Sequence, residues 1–330
     1  MSWREYLHEG IVDWLLSPEN PSVRYWTLLQ LLDRDVSNSI VQETQDAIME
    51  SKIVRTILQN QDVEGYWEEE TDLYLPKYKA TTHSLLILAE IGARITPDIQ
   101  KGLEHVFRFQ LYSGHLKMKM PKTERGRNSK LTDGCCYDGN ILYYMIRFGY
   151  FEDPRVQKLV EFLLLDHDNL DAGWKCRAYP INPNAVFPVN CYMGAAKVFK
   201  AFSIIPERLR TPQINKLISM EVESLLDNGI YRYLRNADGS RKDKAGWKRF
   251  GFPLFYQSDV LEVLEALTRL GIRDERMQDS IDLVVKRQGM DGKWLLKNTY
   301  SGKMWMDFEE KHMPSKWITL KALTVLKRYL

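Results

Sequence analysis

Apolar residues recur at helical spacing in six segments of similar length. Their starts follow one another at a roughly constant spacing of about 60 residues, and several of the segments end at a glycine, as a helix C-cap does. The pattern predicts a repeated apolar helix. The six segments are 21–32, 81–92, 135–150, 190–205, 258–271 and 315–330.

More strongly charged amphipathic segments lie between these apolar ones. Each has charged residues on one face and Leu, Val or Phe on the other, which is typical of an outer helix packed on an inner one. Because strand signals do not recur, the alternation predicts an all-α protein built from stacked or circularly arranged helical hairpins. The amphipathic segments are 39–61, 101–110, 153–166, 213–229 and 274–288.

The turns that follow the outer helices repeat as well. "QNQDVEGYW" (59–67), "DHDNLDAGWKC" (166–176) and "KRQGMDGKW" (286–294) share a polar lead, a glycine and a tryptophan. With the alternating helices, these turns resemble the terpene-cyclase and protein-prenyltransferase superfamily, and "DAGWKC" with "PSKWITLKALTVLKRYL" is similar to its uncharacterised prokaryotic, squalene-cyclase-like members. The resemblance spans roughly residues 20–330. It implies one α/α-toroid domain of about five to six helical hairpins over residues 1–330, with 1–20 as an N-terminal helical extension.

The resemblance also allows the chemistry of the superfamily to be tested residue by residue. Class II terpene cyclases carry a D-x-D-D motif, but "DRDV" (33–36) and "DHDN" (166–169) depart from it at the last position. The prenyltransferases hold zinc with an Asp and a Cys one residue apart and a later His. Asp133-Gly134-Cys135 is similar to that pair, whereas "FPVNCYMG" offers Cys191 in place of the His.

All four cysteines fall within two consecutive repeats. One hypothesis is therefore a zinc site, since zinc accepts thiolates, with Asp133, Asp138 or solvent as the fourth ligand. Buried, chemically inert thiols and a disulfide are the alternatives. The candidate metal ligands are Cys135, Cys136, Cys176, Cys191 and Asp133.

Polar and aromatic residues cluster at the starts of the inner segments, which a toroid places at one end of its central cavity. Asp138, Asp259 and His83 are the candidate catalytic residues, because a partly desolvated carboxylate acquires a useful pKa. The alternative is helix capping. The candidate substrate-binding residues are Tyr137, Asn140, Asn190, Tyr256, Gln257 and Lys316.

Composition narrows the possible partners. The formal net charge of +2 gives no reason to expect nucleic acid, and no window approaches the length of an apolar membrane span. The acidic N-terminus does not resemble a secretory signal, and four cysteines favour a reducing, cytoplasmic setting. Two basic segments, 117–130 and 235–249, would suit the anionic end of a ligand.

The leading hypothesis is thus a toroid that binds an apolar or amphipathic, isoprenoid-like molecule in its central cavity, with zinc-assisted transfer or cyclisation as its enzymatic form. A non-catalytic ligand- or protein-binding toroid with structural zinc is a second hypothesis. A carbohydrate-active enzyme is a third, and it requires a carboxylate pair such as Asp138 and Asp259 across a cleft.

Overall fold

The computed structural model describes residues 2–129, 133–170, 172–175, 190–235 and 240–330. These residues are mostly helical, which confirms the all-α prediction. The chain begins with a 3-10 helix, Trp3–Tyr6, and a π-helix, Thr27–Leu31, continues the second α-helix. In chain order the α-helices are α1 (Ile11–Leu15), α2 (Pro21–Trp26), α3 (Ser39–Met49), α4 (Lys52–Gln59), α5 (Thr81–Glu90), α6 (Pro97–Phe107), α7 (Glu124–Arg127), α8 (Cys135–Arg147), α9 (Pro154–Asp166), α10 (Tyr192–Ser203), α11 (Pro212–Asp227), α12 (Val260–Arg269), α13 (Gln278–Lys286) and α14 (Lys316–Tyr329).

The apolar segments form helices that are buried on every side. All ten residues of α5 are buried, and most of α8, α10, α12 and α14 are buried as well. Within the described residues the strands are confined to one antiparallel pair, β1 (Leu234–Arg235) and β2 (Arg241–Lys242). No helix in the described part of the chain has the length and hydropathy needed to cross a bilayer.

The charged segments form helices that bury a single face. In α9, for example, Val156, Leu159, Val160 and Leu163 point inward. Three of these outer helices start in the same way, because a Thr or Asp side chain accepts a backbone N–H and a proline occupies the first helical position. The pairs are Thr96-Pro97, Asp153-Pro154 and Thr211-Pro212.

Contacts between the buried helices form a series that returns to its start. Helix α5 packs on α8, α8 on α10, α10 on α12, α12 on α14, and α14 on α2. The indole Nε1–H of Trp26 then donates to the carbonyl of Glu90 at 2.9 Å, which joins α2 to α5. Helices α8 and α10 approach most closely, since a Cβ on Gly139 would lie 2.6 Å from the backbone nitrogen of Val198.

A glutamine ties three of the turns to the next outer element. The Nε2 of Gln61, Gln110 and Gln288 donates to the carbonyl of the glycine four residues later, at 2.9, 3.0 and 3.1 Å. The same nitrogens donate to a second backbone carbonyl, at 2.9, 2.8 and 2.7 Å. That second carbonyl belongs, in the same order, to Asp98, Arg155 and Tyr6.

At the last turn, the N-terminal segment lies in the position that an outer helix has at the turns of Gln61 and Gln110. Gln288 donates to the carbonyl of Tyr6 in this segment, and a Cβ on Gly292 would lie 2.6 Å from the side chain of His8. The first 3-10 helix and α1 both pack against α14. The segment predicted as an extension therefore covers the last inner helix.

Candidate functional site

An aromatic pocket lies where α5 and α8 begin and where the chain enters α12. It brings together five residues singled out from the sequence, with a cavity volume of about 20 Å³. A cavity of this size accommodates one water-sized group. The five residues are His83, Cys136, Tyr137, Asn140 and Tyr256, and Tyr74 and Phe255 complete the aromatic walls.

His83 forms part of the wall and is almost fully buried, at 2% exposure. Its ring centroid lies 4.8 Å from that of Tyr74 and 5.1 Å from that of Phe255. Among the described residues, its Nδ1 has no hydrogen-bond partner. Burial, with a smaller contribution from Lys77, lowers the pKa of His83 to about 3, so the imidazole is neutral at neutral pH.

Tyr78 stands beside this wall in a conformation that non-glycine residues seldom adopt, with φ +75°. Its ring stacks on Tyr300 at 4.4 Å and lies 5.2 Å from Phe255. Burial and a hydrogen bond with Tyr256 raise the pKa of Tyr78 to about 12. Tyr78 is therefore neutral at neutral pH, and its ring extends the aromatic wall of the pocket.

Lys77 places a positive charge beside these rings. Its Nζ lies 5.7 Å from the ring centroid of Tyr74 and 5.4 Å from that of Tyr256, within the range of a cation–π contact. Inside the pocket, the Asn140 amide donates to the carbonyl of Phe255 at 2.9 Å. That bond fixes the loop before α12 against α8.

Asp138 does not line the aromatic pocket. It is buried against His115, whose Nδ1 lies 2.7 Å from the carboxylate, and the backbone N–H of Leu116 donates to the other oxygen at 3.3 Å. The backbone N–H of Asp133 donates to the Nε2 of the same histidine. The sequence gives no signal for His115 apart from its position after the glycine of a turn. Because His115 holds the Asp138 carboxylate, this acid has a structural role.

Asp259 also lies outside the pocket, and it caps α12. Its two oxygens accept the backbone N–H groups of Glu262 and Gly251, each at 2.8 Å, as the capping alternative predicts. Burial is the main cause that raises the pKa of Asp259 to about 7. The carboxylate borders a small cavity beside Lys200.

The remaining candidate binding residues have contacts elsewhere. The Asn190 amide donates to the carbonyl of Ala172 at 2.6 Å, and the Gln257 side chain lies 3.5 Å from that of Asn298. Lys316 donates to Ser17 and is held at the N-terminal segment. The structure therefore does not gather these three residues at the aromatic pocket.

The candidate metal ligands are only partly described, because Cys176 lies outside the described residues. The carboxylate of Asp133 accepts Lys117 Nζ at 2.5 Å and the backbone N–H of Met118 at 2.6 Å. Cys135 Sγ packs so closely on Gly194 that a Cβ there would lie 1.9 Å from it. Across the described ranges, no group of three or more His, Cys, Asp or Glu side chains is placed to hold a metal, so the zinc site stays a prediction.

The basic segments predicted to hold an anionic end are partly neutralised by neighbouring acids. Lys117 pairs with Asp133, and Lys248 pairs with Asp243, which also accepts Arg232 at 3.2 Å. Residue 130 of the first segment and residues 236–239 of the second lie outside the described residues.

A network of buried charges runs along the inside of the inner helices. Lys197, fully buried, donates to both oxygens of Glu262 at 2.8 and 2.7 Å. Lys200 donates to Glu262 at 2.9 Å and also pairs with Glu90. Burial alone would raise the pKa of Glu262, but the two lysines lower it to about 2, so the carboxylate stays ionised.

Because of this network, the space among the inner helices differs from the central cavity that the sequence predicts. Two of the cavities among the inner helices have volumes of only about 10 and 30 Å³, and charged residues line both. The sequence predicts an apolar central cavity. The difference arises because long side chains of α5, α10 and α12 meet inside and fill it.

Comparisons with known proteins find no matching family model and no matching curated protein. Among solved structures, a protein from Actinoplanes is 12% identical, with 95% of this chain and 89% of that chain covered and a TM-score of 0.45. The apo type II terpene cyclase MstE from Scytonema is 14% identical, with 86% and 97% covered and a TM-score of 0.34. A family 10 polysaccharide lyase from Cellvibrio cellulosa is 13% identical, with 82% and 99% covered and a TM-score of 0.38. TM-scores below 0.5 do not establish a shared fold.

Proposed function

We propose that this protein is an α/α toroid that binds an apolar or amphipathic, isoprenoid-like molecule in the aromatic pocket. The toroid is supported by the series of inner-helix contacts that returns from α14 to α2 and by the glutamine bonds from three of the turns to the next outer element. Each outer helix then belongs to one hairpin of the ring, and the N-terminal segment supplies the outer element of the last one.

The unpartnered Nδ1 of His83 is the observation that carries the binding proposal. Leaving a buried polar atom without a partner costs about 1–3 kcal/mol, and a ligand that supplies a donor removes that cost. The walls are otherwise aromatic rings, which suit an apolar chain. The ligand is therefore an apolar molecule with a hydroxyl group directed at His83.

Ligand entry requires a side chain to move, because the cavity of about 20 Å³ is smaller than an isoprenoid. Tyr74 and Tyr256 are only half-buried and line the pocket, so rotation of either ring enlarges it. Such a pocket opens when its ligand stabilises the minor conformation.

Binding is favoured over catalysis by the placement of the acids. His83, with its lowered pKa, accepts a hydrogen bond at neutral pH but is a weak base. Asp138 is held by His115, and Asp259 caps α12. No described group in the pocket therefore favours transfer, cyclisation or carbohydrate cleavage. These three reactions stay hypotheses.

A zinc site is a separate part of the proposal, in which the metal has a structural role. Its ligands would be drawn from Cys135, Cys136, Cys176, Cys191 and Asp133. Zinc per chain, measured by plasma mass spectrometry on untagged protein, should then be stoichiometric and should be lost in Cys176→Ser and Cys191→Ser. Metal-free wild type after zinc supplementation would exclude the site.

The binding proposal is tested with an alcohol and a hydrocarbon of the same skeleton, farnesol and farnesane, by equilibrium dialysis. Wild type should bind farnesol saturably and about tenfold more tightly than farnesane. His83→Phe keeps a ring but removes Nδ1, so the preference for the alcohol should disappear. The exposed His312 provides a matched control, His312→Phe, in which the preference should persist. Absence of saturable binding, or an unchanged preference in His83→Phe, refutes the proposal.

A further inference from the structure

A second pocket lies at the opposite end of the inner helices, where α5, α8, α10 and α12 finish. Its volume is about 30 Å³, and its walls include Trp26, Tyr143 and Trp317. Charged groups from four helices also line it: Glu90, Arg147, Glu265, Arg269 and Lys321. The question is which ligand such a mixed wall would recognise.

The acids of this pocket already have partners. Glu265 accepts Arg269 at 3.0 Å and Lys321 at 2.7 Å. Glu90 accepts a hydrogen bond from Lys200, which also donates to Glu262. No carboxylate that lines the pocket is thus left to recruit a cation.

The groups without partners are all donors. Among the described residues that line the pocket, the Nε1–H of the buried Trp317 has no hydrogen-bond acceptor. Outside the lining, the Nη1 of Arg328, a neighbour of Glu265, also has none. Arg147, exposed at the rim, stacks its guanidinium 4.4 Å over the ring of Trp26, and no ion pair joins it to a described carboxylate. A wall whose unsatisfied groups are donors requires an acceptor as its ligand.

The charges of the side chains that line the pocket also favour an anionic ligand. Among the described residues that line the pocket, three cationic side chains stand against two carboxylates, a surplus of one positive charge. Helix C-termini offset part of this surplus, since each presents partial negative charge, but their carbonyls do not supply the partner that Arg147 lacks. The cations are Lys321, Arg147 and Arg269, and the carboxylates are Glu90 and Glu265.

We propose that this pocket binds a small organic monocarboxylate. A guanidinium forms two parallel hydrogen bonds with a carboxylate, and Arg147 is positioned on Trp26 to do so. The rings of Trp26 and Trp317 border the position of a short apolar tail, which distinguishes this class of ligand from an inorganic anion. The cavity of about 30 Å³ holds only about two water-sized groups, so the exposed Arg147 side chain moves to admit the ligand. The site is separate from the aromatic pocket, so it stands whether or not that pocket binds an isoprenoid.

Propionate titrated by isothermal calorimetry at constant ionic strength tests the proposal, with chloride and inorganic phosphate as comparison anions. Wild type should bind propionate saturably and more tightly than either inorganic anion. Arg147→Met keeps an apolar stem on Trp26 and should weaken propionate binding at least tenfold. Trp317→Phe keeps the ring, removes the N–H and should weaken binding severalfold.

Arg125 in α7 provides the matched control, because it is an exposed arginine outside the pocket. Arg125→Met should leave propionate affinity unchanged. Thermal melts by circular dichroism verify that each variant is folded. Tighter binding of phosphate or chloride than of propionate, equal loss in both arginine variants, or no saturable binding would each overturn the assignment.

Discussion

Replacing Glu262 with methionine should strongly destabilise the protein, and replacing its partner as well should restore most of the loss. In Glu262→Met, Lys197 is left fully buried with no acceptor among the described residues. Removing one partner of a buried ion pair typically costs about 3–5 kcal/mol. Lys200 retains Glu90 and contributes less to the loss.

The double variant Lys197→Met/Glu262→Met removes both charges and leaves Lys200 paired with Glu90. Replacing both members of a buried pair by apolar residues of similar volume is often close to neutral, so its stability should lie within about 1–2 kcal/mol of wild type. Lys197→Met therefore stabilises the Glu262→Met background by about 1–4 kcal/mol, although in wild type it removes a favourable pair.

Urea unfolding followed by circular dichroism measures these differences. The exposed pair between Arg94 and Asp46 serves as the control, and Arg94→Met should cost only about 0–1 kcal/mol. If the losses in Lys197→Met and Glu262→Met simply add in the double variant, the buried-charge reasoning is refuted.

Three further predictions concern packing, the turns and acid. Gly139→Ala should cost about 1–3 kcal/mol in urea unfolding, because its Cβ would lie 2.6 Å from a backbone nitrogen of α10, whereas Gly246→Ala, in open space, should be nearly neutral. Gln288→Ala removes the bond from the last turn to Tyr6 in the N-terminal segment, together with the bond to Gly292 within the turn, so hydrogen exchange of that segment should accelerate; unchanged exchange contradicts the role assigned to this residue. The folded pKa of Glu262, about 2, lies below its usual value of about 4.3, so its stabilisation is present above that value and is lost as pH falls toward 2. Stability between pH 6 and pH 2 should then fall more steeply in wild type than in Lys197→Met/Glu262→Met.

The helices could be predicted because their signals are local. Period, caps and glycine stops depend on neighbours a few residues away, and the predicted segments 81–92 and 153–166 appear as α5 and α9 with ends shifted by three residues or fewer. The aromatic pocket was predictable in part for the same reason. Residues at the starts of parallel inner helices meet at one end, and His83, Tyr137 and Asn140 do so.

The pairings inside the molecule could not be predicted. Lys200 and Glu90 are separated by 110 residues, and Lys197 and Glu262 by 65, so no local pattern connects them. Asp138 was singled out as an acid at a helix start, but its partner His115 lies 23 residues earlier in a turn.

The sequence by itself determined which segments are helices, which of them are buried, and how the turns repeat, because hydrophobic periodicity records burial one helix at a time. The tertiary structure alone decided where the buried charges meet and which polar atoms lack partners. Those outcomes depend on how several helices pack together, and the free energy of a buried charge is set by its neighbours in space.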